Sequence, residues 1–413
     1  MQTVEHLSRE TGERKLLFLL NSLAVGGSER KAVALANALS ARGWDVRFAY
    51  VDAPARSGED LLCSLSPHVP VFCLGRRSKY SIPGMLRLNR ALRREGITTL
   101  IAVNLHPLLY AVPATFALGR RRPQLVALVN MMFTQQLRRG VMPFYVRLLR
   151  AADQVVYGSR AQMASWLESM PYATTESRCI YNGIALDRFM LRSERRSNLE
   201  GFDGVGAGGI VVGTVAQLRP EKNLRELIRA VANLVRKGQA VELVIVGDGP
   251  ERDALEALVR AEEIGDRVVF AGQTADVYSY LREMDVFVLP STYETFSNAA
   301  LEAMASGVPV VLSRVGGSVE MVTHGVEGFL YTPGVTEDLV QALSTLLRDP
   351  ELRREMGRRA RDRVERDFSW DRMVDEYECL FSPESRFRVE PPMRGAARNA
   401  RPTIRPTSAT WRR

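Results

Sequence analysis

Two series of short apolar runs, interleaved with stretches of helical patterning, constrain this chain more than any other feature. The first comprises Leu16–Leu20, a helical stretch from about Ser28 to Arg42, then Val46–Val51, Leu100–Val103, Val126–Val129 and Gln154–Tyr157. The second comprises Ile210–Val215, a helical stretch from about Leu224 to Lys237, Val241–Val246, a helical stretch over Glu251–Glu263, then Val268–Phe270, Val286–Leu289 and Val310–Leu312. Runs without polar alternation suit strands covered on both faces, and their alternation with helices predicts βαβ units and a parallel sheet. A Gly-rich, charged stretch from Arg192 to Gly209 separates the two series and reads as a linker. The predicted fold class is therefore α/β, with two Rossmann-like, doubly wound parallel-sheet domains over 1–192 and 210–365 facing a central cleft across a 193–209 linker. Ligands of such sheets bind beyond the carboxyl ends of the strands, so the loops there are the first place to look for chemistry.

A chain of 413 residues with 46% hydrophobic content can bury two sizeable cores. Its net charge of +9 is unevenly spread: residues 1–190 carry 25 Lys and Arg against 13 Asp and Glu, residues 191–380 carry 23 against 32, and residues 381–413 carry 8 against 2. A basic first half suggests an anionic surface or a lipid-phosphate substrate as its partner. The segment from Gln136 to Arg150 mixes basic and bulky apolar residues at roughly helical spacing, and Arg76, Arg77, Lys79, Arg93, Arg94 and the arginines at 120–122 add to it. Two readings stand, docking on an anionic membrane surface or a core helix with a solvated basic edge. Nucleic acid is not expected as a partner, because no basic platform interleaved with aromatic residues occurs.

Four cysteines without a C-x-x-C pair point to a reduced, cytoplasmic protein without a disulfide framework. The stretch from Met1 to Lys15 lacks the apolar core of a secretory signal. Thr99 to Gly119 is apolar but broken by Asn104, His106, Pro107 and Pro113, which predicts a buried strand and a helix rather than a membrane span. The segment from about Pro383 is rich in Arg, Pro, Ser and Thr, and is expected to be a disordered basic tail.

Several strand-end loops carry candidate chemistry. Gly26-Gly27-Ser28 follows the first strand and opens a helix, where glycines admit a phosphate to backbone amides and Ser28 is a candidate N-cap. It is neither G-x-G-x-x-G nor a P-loop. Arg219 and Lys222 lie three residues apart after Ile210–Val215, suited to charge-assisted bonds with a pyrophosphate. Gly247-Asp248-Gly249-Pro250 closes Val241–Val246 and serves equally as a structural turn or a ligand contact. Glu294 sits on a loop beside a helix opening near Ser297 or Asn298, with Glu302 about one turn inside. His106, after Leu100–Val103, is either a cleft residue or a packing histidine. No D-x-D and no His/Cys cluster occurs, which predicts metal-independent chemistry without a cofactor.

The segment from Asp285 to Pro309, with Glu294 and Glu302 eight residues apart, resembles the E-x7-E block of the GT4 family of retaining glycosyltransferases in the GT-B superfamily. The likeness extends from about Leu16 to Phe381. It implies a GT-B architecture whose closing helix, at 366–382, crosses back to the first domain. It also implies a UDP- or GDP-linked sugar donor, and a saccharide or lipid-linked acceptor of cell-envelope or exopolysaccharide synthesis. By the same resemblance Glu294, Arg219 and Lys222 are catalytic, Glu294 holding sugar hydroxyls and the two cations the departing diphosphate. Gly26, Gly27, Gly247, Gly249, Val277, Phe296, Ser297, Asn298 and Glu302 would line the donor, Glu302 at the ribose. Tyr181-Asn182-Gly183-Ile184 resembles the family's N-G-[IV]-D segment, with Ala185 in place of the Asp, and Asn182-Gly183 reads as a turn. Asn130 stands where many relatives place a His, and cannot shuttle a proton. His106 and Asn130 are the candidate acceptor or sugar contacts. A nucleotide-sugar epimerase or phosphorylase of the same fold, and a non-catalytic sugar-nucleotide-binding scaffold subunit, remain as alternatives.

Overall fold

The structure, a computed structural model, describes residues 14–23, 26–52, 61–76, 81–132, 142–169, 176–189 and 209–382. The linker expected over 193–209 lies outside these residues except for Gly209, and the tail expected over 383–413 lies outside them entirely. So do Arg77, Lys79 and the first part of the Gln136–Arg150 segment.

Two parallel sheets form, one from each apolar series. The first contains β1 (Lys15–Leu20), β2 (Asp45–Asp52), β3 (Val71–Arg76), β4 (Thr99–Val103), β5 (Gln124–Val129), β6 (Gln154–Tyr157) and β7 (Glu176–Cys179), in the order β3-β2-β1-β4-β5-β6-β7. The second contains β8 (Ile210–Val215), β9 (Val241–Val246), β10 (Val268–Gly272), β11 (Val286–Leu289), β12 (Val310–Ser313) and β13 (Gly328–Tyr331), in the order β10-β9-β8-β11-β12-β13. Helices cover both faces of each, so the central strands are apolar on both sides and bury four separate clusters. The strand order reverses between β1 and β4, and again between β8 and β11. These are the two switch points at which loops diverge and leave a crevice.

The helix expected from Ser28 to Arg42 spans Gly27–Ala41, and its N-cap is Gly26 rather than Ser28, which falls inside the first turn. Thr99 to Gly119 forms β4 and the helix Leu108–Phe116, with Pro113 inside that helix. Among the described residues no helix is long and apolar enough to cross a membrane. β3, β7 and β13 were not anticipated from the apolar runs. β7, Glu-Ser-Arg-Cys, is an edge strand with no apolar run to announce it.

The closing helix Trp370–Phe381 belongs by sequence to the second half but packs on the first. Met373, Val374, Tyr377, Leu380 and Phe381 join Leu16, Phe18, Trp44 and Phe48 in one core. Trp44 Nε1 donates to Glu378 at 2.7 Å, and Arg42 pairs with Asp375 and Glu378. Burial of those large side chains outweighs the partly exposed ion pairs as the force fixing this crossover. Its start is stitched to the Asn182-Gly183 segment: Ile184 N donates to Phe368 O and Trp370 N to Ile184 O, both at 2.9 Å. A Cβ on Gly183 would sit 2.6 Å from Ser369 O. This segment is thus a joint between the two halves.

Candidate active site

The loops after β8, β9 and β11 interlock at the second switch point. Ala216 N donates to Val246 O and Leu218 N to Asp248 O, both at 3.0 Å. Gly247 has φ +132, and a Cβ there would collide with Ala216 O, while one on Gly249 would lie 2.6 Å from Leu218 O. These glycines bring two backbones into contact and so fix the loop that carries the cations. Gly272 O accepts from Gly247 N at 2.8 Å, tying the end of β10 and the neighbourhood of Val277 to the same ribbon. Val277 itself opens a short helix and is half-buried.

The loop after β11 is pinned by Thr292 N, which donates to Glu221 O at 2.8 Å, and by Ser313 Oγ, which donates to Ser291 O at 2.6 Å. That places Glu294 Oε2 2.6 Å from Lys222 Nζ, with the Glu294 side chain 14% exposed. Arg219 stands exposed at the start of the 3-10 turn Pro220–Lys222 and makes no ion pair among the described residues. The site therefore offers one cation already matched to a carboxylate and a second available to a ligand anion.

Ser297 caps the helix Asn298–Ala305, its side chain accepting from Ala300 N at 3.2 Å. Phe296 turns its ring inward, 5.1 Å from Tyr181 and 5.2 Å from Phe368, so only its backbone is available to a ligand. The Glu302 carboxyl has no hydrogen-bond partner among the described residues. Burial pushes its pKa up to about 7, opposed by Arg30 from the other domain. A carboxyl so placed is a ready acceptor for ligand hydroxyls.

Two helix starts are linked across the cleft. Lys31, four residues past the Gly27 helix start, donates from Nζ to Asn182 Oδ1 at 2.7 Å. Asn182 Nδ2 in turn donates to Asn298 Oδ1 at 3.0 Å and Phe296 O at 3.3 Å. Burial holds the Lys31 ammonium down at about 8. Gly26 is extended, and Glu29 folds back over it; Gly27 faces open space, where a Cβ would meet nothing within 4 Å. The positive ends of the two helices and the Lys31 charge make this an anion-favouring region.

The first switch point carries a different set. Asn21, Asp52, Arg76 and His106 form one network: Asn21 Nδ2 donates to Asp52 at 3.0 Å, Arg76 pairs with Asp52, and Arg76 Nη1 lies 2.8 Å from His106 Nε2. Because a guanidinium only donates, His106 Nε2 accepts and the ring is neutral. Burial, reinforced by Arg76 and opposed by Asp52, lowers its pKa. Asn104, at φ +68, accepts on Oδ1 from Asn130 N at 3.3 Å, and the Asn130 side chain makes no hydrogen bond among the described residues. The structure thus pairs Lys222 with Glu294 and ties Asn298 to the first domain, while His106 and Asn130 lie on the opposite sheet. Among the described residues no group of three or more His, Cys, Asp or Glu gathers as for a metal ion.

Sequence reasoning missed Arg30, Lys31, Asn182 as a bridge, and the Gly316-Gly317 turn. Gly316, at φ +46, packs so tightly on Glu294 O that a Cβ would collide with it, and Gly317 N donates to that oxygen at 3.2 Å. A signal existed: Val315-Gly316-Gly317-Ser318 repeats the Val25-Gly26-Gly27-Ser28 pattern.

Residues 203–363 match the family model "Glycosyl transferases group 1" and residues 25–188 match "Glycosyltransferase Family 4". The N-acetyl-alpha-D-glucosaminyl L-malate synthase of Bacillus anthracis is 38% identical over 167 residues, 40% of this chain and 44% of that protein. The capsular polysaccharide biosynthesis glycosyltransferase CapM of Staphylococcus aureus is 29% identical over 202 residues, 49% and 53% of the two chains. The chain thus spans about half the length of such curated relatives. Anabaena HepE in complex with UDP-glucose superposes with a TM-score of 0.76 at 25% identity, covering 89% of this chain and 99% of that one. With a family model on each half and the GT-B fold through both, the chain belongs to the GT4 family of glycosyltransferases.

Proposed function

We propose that this protein transfers a hexose-type sugar from a UDP- or GDP-linked donor to a saccharide or lipid-linked acceptor, with retention of configuration, in cell-envelope or exopolysaccharide synthesis. The observation that carries the reading is the arrangement at β8 and β11: Lys222 held by Glu294 at 2.6 Å, with Arg219 exposed nearby and a half-buried Glu302, neither making an ion pair or side-chain hydrogen bond among the described residues. In this reading Glu302 accepts from the ribose hydroxyls and Glu294 from the sugar hydroxyls. The bond from the anomeric carbon to the β-phosphate oxygen breaks, and that oxygen leaves with the electron pair toward Arg219, Lys222 and the Gly26-Gly27 helix start. The acceptor hydroxyl oxygen bonds to the anomeric carbon on the same face and passes its proton to the departing phosphate oxygen. Glu294 forms no covalent intermediate. Asn130 contributes a hydrogen bond and no proton transfer, and His106 acts through the Arg76–Asp52 network. Positive charge on protein groups replaces a metal or cofactor at the diphosphate.

An anionic membrane surface is proposed as a partner on the inner face of the plasma membrane. From residue 61 to 152 the only acid is Glu95, against 14 Lys and Arg. Ile82, Leu86, Phe116 and Phe144 are exposed on three helices that share one face of the first sheet. Bulky apolar side chains among arginines suit a headgroup layer.

The test incubates the protein with UDP- and GDP-sugars, with and without crude lipid-linked acceptor, and follows nucleoside diphosphate release and the product's anomeric configuration by NMR. Release with a new glycosidic product of retained configuration is expected. Inverted product, isomerised nucleotide sugar, phosphorolysis, or nucleotide binding without release would each overturn the assignment.

A further inference from the structure

Glu320 lies outside every role assigned above, yet its carboxylate crosses from the second half to the first. Oε1 accepts from Ala161 N at 2.7 Å, and Oε2 accepts from Arg160 N at 2.9 Å and from the Tyr181 hydroxyl at 2.7 Å. Arg160 and Ala161 open the helix Arg160–Ser169, whose first amides have no partner within their own helix. One carboxylate thus closes a helix start that lies 160 residues earlier in the chain. Burial, with Glu320 as the next cause, raises the Tyr181 pKa, so the hydroxyl stays a donor.

What lies between Glu320 and the proposed chemistry is a three-layer stack. The Glu294–Thr295 backbone forms one layer, Gly316-Gly317 the next and Ser159 the third. A Cβ on Gly317 would collide with Thr295 O on one side and stand 3.1 Å from Ser159 Cβ on the other. Gly317 N holds Glu294 O at 3.2 Å, and Glu320 follows one helical turn later. The backbone that carries Glu294 is therefore clamped to the first domain through a turn with no room for a side chain.

Resting on the glycosyl-transfer reading, we propose that Glu320 is a positioning residue: by gripping the start of the Arg160–Ser169 helix it sets the register of the Glu294 loop against the acceptor-side domain. A plain helix cap would have another signature, since losing it costs about 1 kcal/mol of stability and leaves the chemistry of the folded protein alone. Misregister across the cleft acts on turnover, where about 1 Å of displacement can cost about 100-fold.

The variant Glu320→Gln keeps the size but turns an amide NH2 toward backbone donors, and Tyr181→Phe removes a single bond. Glu327→Gln, at a buried carboxylate bonded to Thr323 N in the same domain, is the control. Each is measured for kcat, donor KM and UDP or GDP affinity. Spin labels at Arg94→Cys and Arg348→Cys, with Cys63 and Cys379 replaced by Ser, report the interdomain distance by double electron–electron resonance. Glu320→Gln is expected to lower kcat about 10- to 100-fold with nucleotide affinity within about twofold and a broadened distance distribution. Tyr181→Phe should show a smaller loss of the same kind, and Glu327→Gln neither. A Glu320→Gln protein with a wild-type distance distribution, or with kcat within about twofold of wild type, would overturn the proposal. The distance measurement needs no turnover. If wild type releases no nucleoside diphosphate from any donor, the functional reading falls, while the label distances still decide the role of Glu320.

Discussion

The two switch points are built from the same topology but finished differently. At the second, between β8 and β11, Gly247 and Gly249 have no room for a Cβ and lock the loops after β8 and β9 together, and Gly316 does the same for the loops after β11 and β12. At the first, between β1 and β4, side chains do the joining: Asn21, Asp52, Arg76 and His106 form a polar network with His106 Nδ1 buried and unpartnered among the described residues. Backbone interlock yields a rigid site suited to a fixed ligand such as a nucleoside diphosphate. A side-chain network can be retuned by substitution without disturbing the sheet.

The comparison breaks most visibly at Glu294. Its replacement by Ala should lower kcat about 100- to 1,000-fold, because the sugar loses its carboxylate and Lys222 its partner. Asn130→Ala on the other sheet should cost less than about tenfold, as loss of one neutral hydrogen bond. Steady-state kinetics on both variants checks the contrast, and unchanged turnover in Glu294→Ala would remove it from the mechanism.

Backbone interlock predicts a stability difference between glycines. Gly316→Ala meets Glu294 O head-on at positive φ and should cost about 2–4 kcal/mol. Gly96→Ala, at φ +64 with nothing within 4 Å, carries conformational strain alone and should cost about 1 kcal/mol. Urea unfolding of the two variants would expose any failure of this ranking.

Glu302 sets stability against function. Its folded pKa of about 7 lies above the ordinary carboxyl value, so the folded state holds the proton more tightly than the unfolded chain does. The stability this gives is full at low pH and is lost as pH rises through 7. Glu302→Gln should therefore raise the melting temperature at pH 8 by the equivalent of about 1–2 kcal/mol, with little change at pH 5. The same variant should weaken nucleotide binding about tenfold, and wild-type affinity should fall below pH 7. The smallest effect belongs to Gly27→Ala, where a Cβ enters open space. Its stability should match wild type within about 0.5 kcal/mol, while kcat drops if diphosphate packs there.

Much of the fold was legible because it is written locally. Val241–Val246, apolar but for Glu242, and the wholly apolar Val286–Leu289 form β9 and β11 at those bounds. Gly247 and Gly249 were equally legible as a turn, though only the structure shows that their lack of a Cβ is used against the Ala216–Leu218 backbone. What joins the halves was not legible. Lys31 and Asn182 are 151 residues apart, and Asn182 and Asn298 are 116 apart, so no local period marks them. Nor does any local period mark Glu320, whose donors Arg160 N, Ala161 N and the Tyr181 hydroxyl lie 160, 159 and 139 residues away. β7 escaped notice because an edge strand needs no apolar run, only backbone to pair with.

The central claim is that a nucleoside diphosphate leaves toward the cations after β8. Multiple-turnover release of UDP or GDP from the donor panel, compared between wild type and Lys222→Ala at matched nucleotide saturation, tests it most directly. Wild type should release nucleoside diphosphate from one donor class, and release should fall about 100-fold or more in the folded variant. Equal release by the two proteins would contradict it.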